Sequence, residues 1–99
     1  MYIQVYTTVS SKEEAERIAG ALLEAKLAVC CQISGPVENM YRQLVVKQEW
    51  LCLVKTISNK YAEIEKMIKS MHSYPNPEIL TFYAWRGSSE YQKWVDQQF

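Results

Sequence analysis

The chain has 99 residues, of which 48% are hydrophobic, and its 11 basic and 11 acidic side chains balance to a formal net charge of zero. This length fits a single domain over residues 1–99, and the balanced charge provides neither a basic surface for nucleic acid nor a polybasic patch for a membrane. Asp96 is the only aspartate, so the acidic residues are a poor ligand supply for a calcium or magnesium site.

The three cysteines, Cys30, Cys31 and Cys52, are odd in number and irregularly spaced, which does not indicate a disulfide framework. Reduced thiols in the cytoplasm are the better interpretation. The first residues show no basic segment followed by a long apolar stretch, and no apolar run approaches the roughly 20 residues of a membrane helix. We therefore expect a cytoplasmic protein.

The first predicted strand covers residues 2–8, where side chains alternate between two faces. Ser10 and Glu13 fit a capping box, which predicts a helix over 11–26. The apolar side of this helix combines five residues at helical spacing: Ala15, Ile18, Ala19, Leu22 and Leu23.

A β-rich run over 28–33 follows, and Ser34-Gly35-Pro36 then predicts a bend or bulge before the strand resumes over 37–42. Residues 45–56 predict the return strand of a long hairpin arm. Ser58 is predicted to cap a second helix, which carries an apolar stripe.

Pro75 and Pro77 exclude a helix in the next loop, and either X–Pro bond could be cis. Residues 78–85 predict the fourth strand. Ser88 or Ser89 is predicted to cap a short last helix that carries Tyr91, Trp94 and Val95.

The predicted order β-α-β-β-α-β-α favours an α+β, ferredoxin-like βαββαβ sandwich with an extra C-terminal helix. The preferred hand of its two crossovers places both helices on one face of the sheet. The other face should then be polar, yet apolar side chains alternate onto both faces of the third and fourth strands. We therefore expect copies of the chain to associate through this second face; the alternative is that the last helix covers it with Trp94 and Tyr91.

An ordered set of short segments along almost the whole chain resembles the CutA-type divalent-cation tolerance proteins. The segments are Thr7-Thr8, Glu14-Ala15, Leu27-Ala28-Val29-Cys30, Met40-Tyr41-Arg42, Lys55-Thr56, His72-Ser73-Tyr74, Pro77-Glu78-Ile79 and Gly87-Ser88-Ser89-Glu90-Tyr91 with Trp94. The resemblance implies a ferredoxin-like fold, a homotrimer with contacts between the sheets of its subunits, and a role linked to copper and other divalent cations. The fold and assembly are shared with the PII-type signalling regulators.

The sequence departs from the family pattern at three places. Gln43-Leu44-Val45-Val46 stands where an aromatic and glycine-containing turn is usual, so the hairpin arm is expected to be shortened. Ser73 stands where proline is usual, and Cys31 where an apolar residue is common.

The resemblance makes Cys30 and His72 the candidate metal ligands, both suited to copper or zinc. Cys30 and Cys31 are neighbours in a strand, so their side chains point to opposite faces and cannot clamp one ion. The alternatives are that the cysteines are small buried hydrophobes and that His72 hydrogen-bonds near a helix C-terminus. Any site with several ligands must therefore assemble through the fold or across subunits.

A second candidate site is a pocket or interface at subunit junctions, which the resemblance places at eight positions: Tyr41, Arg42, Glu49, Trp50, Lys55, Tyr74, Pro77 and Glu78. These groups could hold a small ligand or an anion, or form ion pairs that set the register of the trimer. Glu49 and Lys55 lie at the two ends of one apolar stripe, which is typical of charges at a strand rim.

The leading hypothesis is a trimeric CutA-like protein that binds copper or another divalent cation. The alternative is a PII-like signalling or scaffold protein that binds a small molecule or a partner protein without an intrinsic metal role. No catalytic residue is predicted, because the isolated glycines form no phosphate loop and no acid is identifiable to orient a Cys–His pair.

Overall fold

The computed structural model describes all 99 residues and shows an α+β arrangement of four antiparallel strands and three α-helices. In chain order the elements are β1 Tyr2–Val9, α1 Lys12–Glu24, β2 Cys30–Met40, β3 Val46–Ile57, α2 Tyr61–Met71, β4 Leu80–Tyr83 and α3 Ser89–Gln97. The strand order across the sheet is β2-β3-β1-β4. The predicted βαββαβ order with a further C-terminal helix is therefore confirmed. None of the helices has the length and apolarity that crossing a membrane requires.

One face of the sheet packs against both α1 and α2, because every second strand residue faces the helices and most of these residues are apolar. In β1 the residues on this face are 1% exposed or less: Ile3, Val5, Thr7 and Val9. The helices add the apolar residues of their stripes: Ala15, Ile18, Ala19, Leu22, Ile64 and Ile68. Leu23, predicted to share the α1 stripe, is instead 42% exposed. A single core therefore joins both helices to the sheet, as predicted.

A β-bulge interrupts β2 between Ser34 and Val37, where the sequence predicts a bend. Gly35 has φ +153°, and a Cβ at this position would lie 2.7 Å from Cε3 of Trp50. Only glycine therefore fits here. The Gly35–Pro36 peptide is the one cis bond of the chain, so the bonds before Pro75 and Pro77 are trans.

Two predicted helix starts are wrong. Ser11, not Ser10, is the N-cap of α1, because its Oγ accepts a hydrogen bond of 3.1 Å from the backbone N–H of Glu14. Ser58 begins a short 3₁₀ turn that leads into α2, and its side chain caps neither element. The third predicted cap is confirmed at Ser88, whose Oγ accepts from the N–H of Tyr91.

Several element ends also differ from their predicted positions. The helix α1 ends at Glu24 rather than at 26, since Lys26 takes the left-handed conformation with φ +59°. The strand β4 is limited to Leu80–Tyr83, because only four residues of β1 pair with it. The strand β2 begins at Cys30 rather than 28, and β3 is displaced by one residue.

The second face of the sheet is only partly covered by α3. Tyr91 packs edge-on against Tyr2, with ring centroids 5.9 Å apart, and Val95 is 1% exposed. Beyond this helix, Leu80 and Phe82 remain about half exposed. We call this uncovered surface the open face; its residues lie opposite the core in β1, β3 and β4: Tyr6, Leu51, Leu53, Leu80 and Phe82.

Candidate functional site

The hairpin of β2 and β3 extends past the end of β1 and forms a projecting arm. The last pair between β1 and β3 joins Val9 to Trp50, whereas β2 and β3 continue to pair from Val37 and Glu49 out to Met40 and Val46. The chain turns at residues 41–45, where Leu44 has φ +62° and is 79% exposed. Glu49 therefore lies at the base of the arm.

Glu49 is fully buried, and three side chains donate hydrogen bonds to its carboxylate. Tyr41 Oη and Asn39 Nδ2 both donate to Oε1, the latter over 2.9 Å, and Tyr74 Oη donates to Oε2 over 2.6 Å. Tyr74 comes from the loop after α2, so the carboxylate joins that loop to both strands of the arm. Glu49 is therefore the centre of a hydrogen-bonded cluster and not an exposed charge at a strand rim.

Lys47 supplies the positive charge of this cluster. Its Nζ lies 5.7 Å from the ring centroid of Tyr41 and 5.4 Å from that of Tyr74, in cation–π geometry. A shallow cavity of about 300 Å³ opens beside it, lined by Tyr41, Gln43, Val45 and Lys47. The cluster thus presents an ammonium group next to open space at the side of the arm.

The hydrogen bonds and burial fix the protonation states in the cluster. Burial alone would raise the pKa of Glu49, but the hydrogen bonds from Tyr41, Tyr74 and Asn39 outweigh it, and the net effect lowers this pKa. Burial and the hydrogen bond to Glu49 raise the pKa of Tyr74, and the bond to Glu49 raises that of Tyr41. The carboxylate is thus ionised and the phenols are protonated near neutral pH. With three hydrogen bonds accepted, Glu49 has little remaining capacity to act as a general base.

The other predicted pocket residues divide between this cluster and the rest of the sheet. Glu78 accepts a hydrogen bond of 3.3 Å from Thr8 Oγ1 and lies close enough to Tyr41 to raise its pKa. Arg42 is exposed in the turn of the arm, and Pro77 is half-buried in the loop before β4.

Trp50 and Lys55 lie outside the Glu49 cluster. Trp50 packs against the core beside Gly35. Lys55 is six residues along β3 from Glu49, opposite Cys30, a separation of roughly 20 Å in an extended strand. The structure therefore joins Tyr41, Tyr74 and Glu49, with Glu78 nearby.

His72 is held inside the protein by hydrogen bonds to both ring nitrogens. Its Nε2 lies 2.8 Å from the carbonyl oxygen of Thr8, which can only accept, so Nε2 carries a proton. Its Nδ1 accepts from the backbone N–H of Tyr74 over 3.1 Å and lies 3.6 Å from Oε2 of Glu14. The His72 side chain is 0% exposed. It joins the end of α2 to β1, which matches the hydrogen-bonding alternative for this residue.

Glu14 completes this second buried cluster. Its carboxylate accepts from Ser10 Oγ over 2.9 Å, and from the backbone N–H and Oγ of Ser73 over 2.8 and 2.9 Å. Burial opposes ionisation, but these bonds and the nearby His72 lower the pKa of Glu14. The start of α1 is thereby tied to the end of α2.

Cys30 and His72 do not meet within one chain. Cys30 lies on the same face as Lys55 and near Tyr91, the side covered by α3. His72 contacts Thr7 on the helix-covered face. No group of three or more His, Cys, Asp or Glu side chains is arranged to hold a metal ion. Cys30 and His72 of a single chain therefore do not form a cation site together.

Sequence reasoning missed three members of these clusters. Asn39 and Lys47 pair directly across the hairpin. Asn39 lies two residues before Tyr41, and Lys47 lies two residues before Glu49. The two-residue period of a strand therefore indicates that Asn39 and Lys47 share the face of Glu49. Glu14 lies four residues before Ile18 on the apolar stripe of α1, and an acid at such a position signals a buried carboxylate.

Comparison with known proteins identifies relatives along the full chain. The CutA1 divalent ion tolerance protein family matches residues 3–98. The divalent-cation tolerance protein CutA of Archaeoglobus fulgidus is 40% identical over 98% of this chain and 97% of its own, and that of Thermus thermophilus is 37% identical over 92% and 91%.

Solved structures agree with this assignment. The A. fulgidus protein, described as a periplasmic divalent cation tolerance protein, superposes with a TM-score of 0.92 over 99% of this chain and 98% of its own. The T. thermophilus protein superposes with a TM-score of 0.90 over 96% and 95%. The chain therefore belongs to the CutA1 family of divalent ion tolerance proteins.

Proposed function

We propose that this protein serves divalent-cation tolerance as a cytoplasmic homotrimer, and that copper or a related divalent ion is bound between copies of the chain. The open face carries the proposal of assembly. Leu80 and Phe82 on this face are 48% and 52% exposed. A sheet with apolar side chains on an uncovered face is stabilised when a second copy removes them from water.

The trimer, rather than another closed assembly, follows from the resemblance to the family. The three free thiols support a cytoplasmic location, because reduced cysteines persist there. The A. fulgidus relative, in contrast, is described as a periplasmic protein.

The position of Cys30 supports a cation site between copies. Its thiol is half-buried and free, it lies on the same side of the sheet as the open face, beside α3, and a soft sulfur ligand suits copper. His72 is the weaker candidate of the predicted pair, since coordination at either nitrogen would break a hydrogen bond to Thr8 or Tyr74. A cation bound by Cys30 would draw its remaining ligands from neighbouring copies.

Thermal unfolding with and without copper tests the cation site. A ligand that binds only the folded protein raises the unfolding midpoint by mass action. We expect Cu(II), added without a reductant, to raise the midpoint in the wild type and in His72→Gln, and to have no effect in Cys30→Ser or after a chelator is added. A copper shift of equal size in Cys30→Ser would contradict the role of Cys30, and loss of the shift in His72→Gln alone would assign the site to His72.

Sedimentation equilibrium tests the assembly. We expect three times the chain mass of 11.6 kDa at micromolar concentration. A monomer would contradict the proposal. The same unfolding experiment with ATP in place of copper tests the PII-like alternative, for which a nucleotide-dependent rise in the midpoint is the expected result.

A further inference from the structure

Cys31 and Cys52 lie side by side on neighbouring strands. Cys31 of β2 pairs with Val54 of β3, and Ile33 pairs with Cys52, so the two cysteines are diagonal neighbours. Both point to the helix-covered face, where Cys52 belongs to the core and Cys31 packs against it. Cys30 points the other way and is not part of this pair.

The pair is enclosed by apolar groups but is not sealed from solvent. Cys52 is 0% exposed, whereas Cys31 is only partly buried. Their cross-strand partners, Val54 and Ile33, offer no competing polar ligand. A small ion can therefore reach Cys31 first and meet a second sulfur behind it.

The two neighbouring thiols shift each other's pKa. The interaction with Cys52, together with burial, raises the pKa of Cys31 above its usual range, while the interaction with Cys31 lowers the pKa of Cys52. Neither cysteine is in a disulfide. Their diagonal placement on one face of the sheet brings both side chains to the same region between β2 and β3.

The diagonal placement favours a bridging ion over a disulfide. Diagonal neighbours in antiparallel strands have Cα atoms about 7–8 Å apart, beyond the ~6.8 Å that a disulfide usually spans. A metal–sulfur bond is about 2.3 Å long, so an ion with two sulfur ligands bridges a wider gap. Zinc in a structural site requires four ligands, and only two are present here. Soft thiolate ligands also select Cu(I), an ion for which two sulfur ligands are sufficient.

We propose that Cys31 and Cys52 form a buried two-sulfur site for a soft monovalent cation of the Cu(I) class. On binding, two metal–sulfur bonds form, two S–H bonds break, and both protons leave to solvent without any transfer of electrons. The site lies within one chain and does not require Cys30 or assembly. It is thus independent of the site proposed between copies.

Competition with a chelator tests this site. The reduced full-length protein is titrated under anaerobic conditions with Cu(I) held by bicinchoninate, whose coloured complex reports the ion that the protein removes. We expect the wild type and the matched control Cys30→Ala to bind one Cu(I) per chain with equal affinity at this site. Cys31→Ala and Cys52→Ala each remove one of two ligands and should bind at least about 100-fold more weakly.

A second measurement uses phenylarsine oxide, which bonds to both sulfurs of a close dithiol and releases one water. Mass spectrometry should find one arsenical per chain in the wild type and Cys30→Ala, and none in Cys31→Ala. If Cys52→Ala does not fold, the Cys31→Ala variant still tests the proposal, because Cys31 is only partly buried and its replacement disturbs the core less. Failure of the wild type to take Cu(I) from the chelator, or equal binding by Cys31→Ala, would overturn the proposal. A monomer, or a lack of Cys30-dependent copper binding, would overturn only the function proposed above.

Discussion

Glu49 shows how a carboxylate can be both fully buried and ionised. Two phenols and one amide donate to its oxygens, and Lys47 lies beside the phenol rings. Hydrogen bonds to a charged group contribute about 1.5–3 kcal/mol each, and a buried charge that loses them is destabilising. The cluster therefore makes the base of the arm depend on one ionised group.

The stability contribution of Glu49 should depend on pH. Because its pKa is lowered in the folded protein, its contribution is complete above the ordinary value of 4.5 and is lost as the pH falls through the folded value. We expect Glu49→Gln to reduce the free energy of unfolding by about 1–3 kcal/mol at pH 7, and this difference from the wild type to shrink below about pH 4.5.

Urea unfolding at pH 7 and at pH 3.5 measures both differences. Glu16→Gln, at an exposed position on α1, is the matched control and should change stability by less than about 0.5 kcal/mol at either pH. A difference for Glu49→Gln that is the same at both pH values would rule out an ionised carboxylate in the cluster.

The sequence identified Glu49, Tyr41 and Tyr74 only through the resemblance to a family. Alternation along β3 placed Glu49 at a strand rim, because a two-residue period gives the face of a residue but not what covers it. The cover is Tyr74, which reaches Glu49 from a loop 25 residues further along the chain. Contacts of this kind depend on tertiary folding and have no local signal.

Among the elements, α1 has two candidate N-cap residues in the sequence, Ser10 and Ser11. Ser10 with Glu13 and Ser11 with Glu14 both satisfy the capping-box spacing, so pattern alone does not choose between them. In the structure the cap is Ser11, which accepts from the backbone N–H of Glu14. The carboxylate of Glu14 is fixed in place by hydrogen bonds from Ser10 and Ser73, which favours this pair over Ser10 and Glu13. The helix itself was predicted from its apolar spacing, while its first residue was decided by a contact with the loop after α2.

Substitution of the serines distinguishes the two cap assignments. Ser11→Ala removes the bond to the N–H of Glu14 and should cost about 1 kcal/mol of unfolding free energy. Ser58→Ala is the control, since the Ser58 side chain makes no cap bond, and should be close to neutral. Denaturant titration measures both; an equal loss in the two variants would show that the cap of α1 is not Ser11.

At the scale of the whole molecule, the open face is the apolar surface that a single chain leaves exposed to water. The apolar residues on both faces of β3 and β4 were visible in the sequence, and the structure shows that α3 covers only one end of the second face. The number of copies that cover the rest is not encoded in alternation, because the period of a strand says nothing about symmetry.

Charges placed on this surface should prevent assembly without unfolding the chain. Leu80 is 48% exposed on the open face, so Leu80→Glu is expected to leave the circular dichroism spectrum unchanged and to weaken association at least tenfold in sedimentation equilibrium. Leu23→Glu places the same charge on the outer side of α1, where Leu23 is 42% exposed, and should assemble like the wild type. Equal weakening by both variants would indicate a general effect of charge and not an interface at the open face.

The exposure of Trp85 also gives the protein an intrinsic optical reporter. Of the three indole rings, Trp50 packs against the core and Trp94 is partly shielded, whereas Trp85 stands almost wholly in water. Emission from an indole moves to shorter wavelength when water is removed from around it. Burial of Trp85 by a neighbouring copy would thus make the fluorescence maximum depend on protein concentration, without any label.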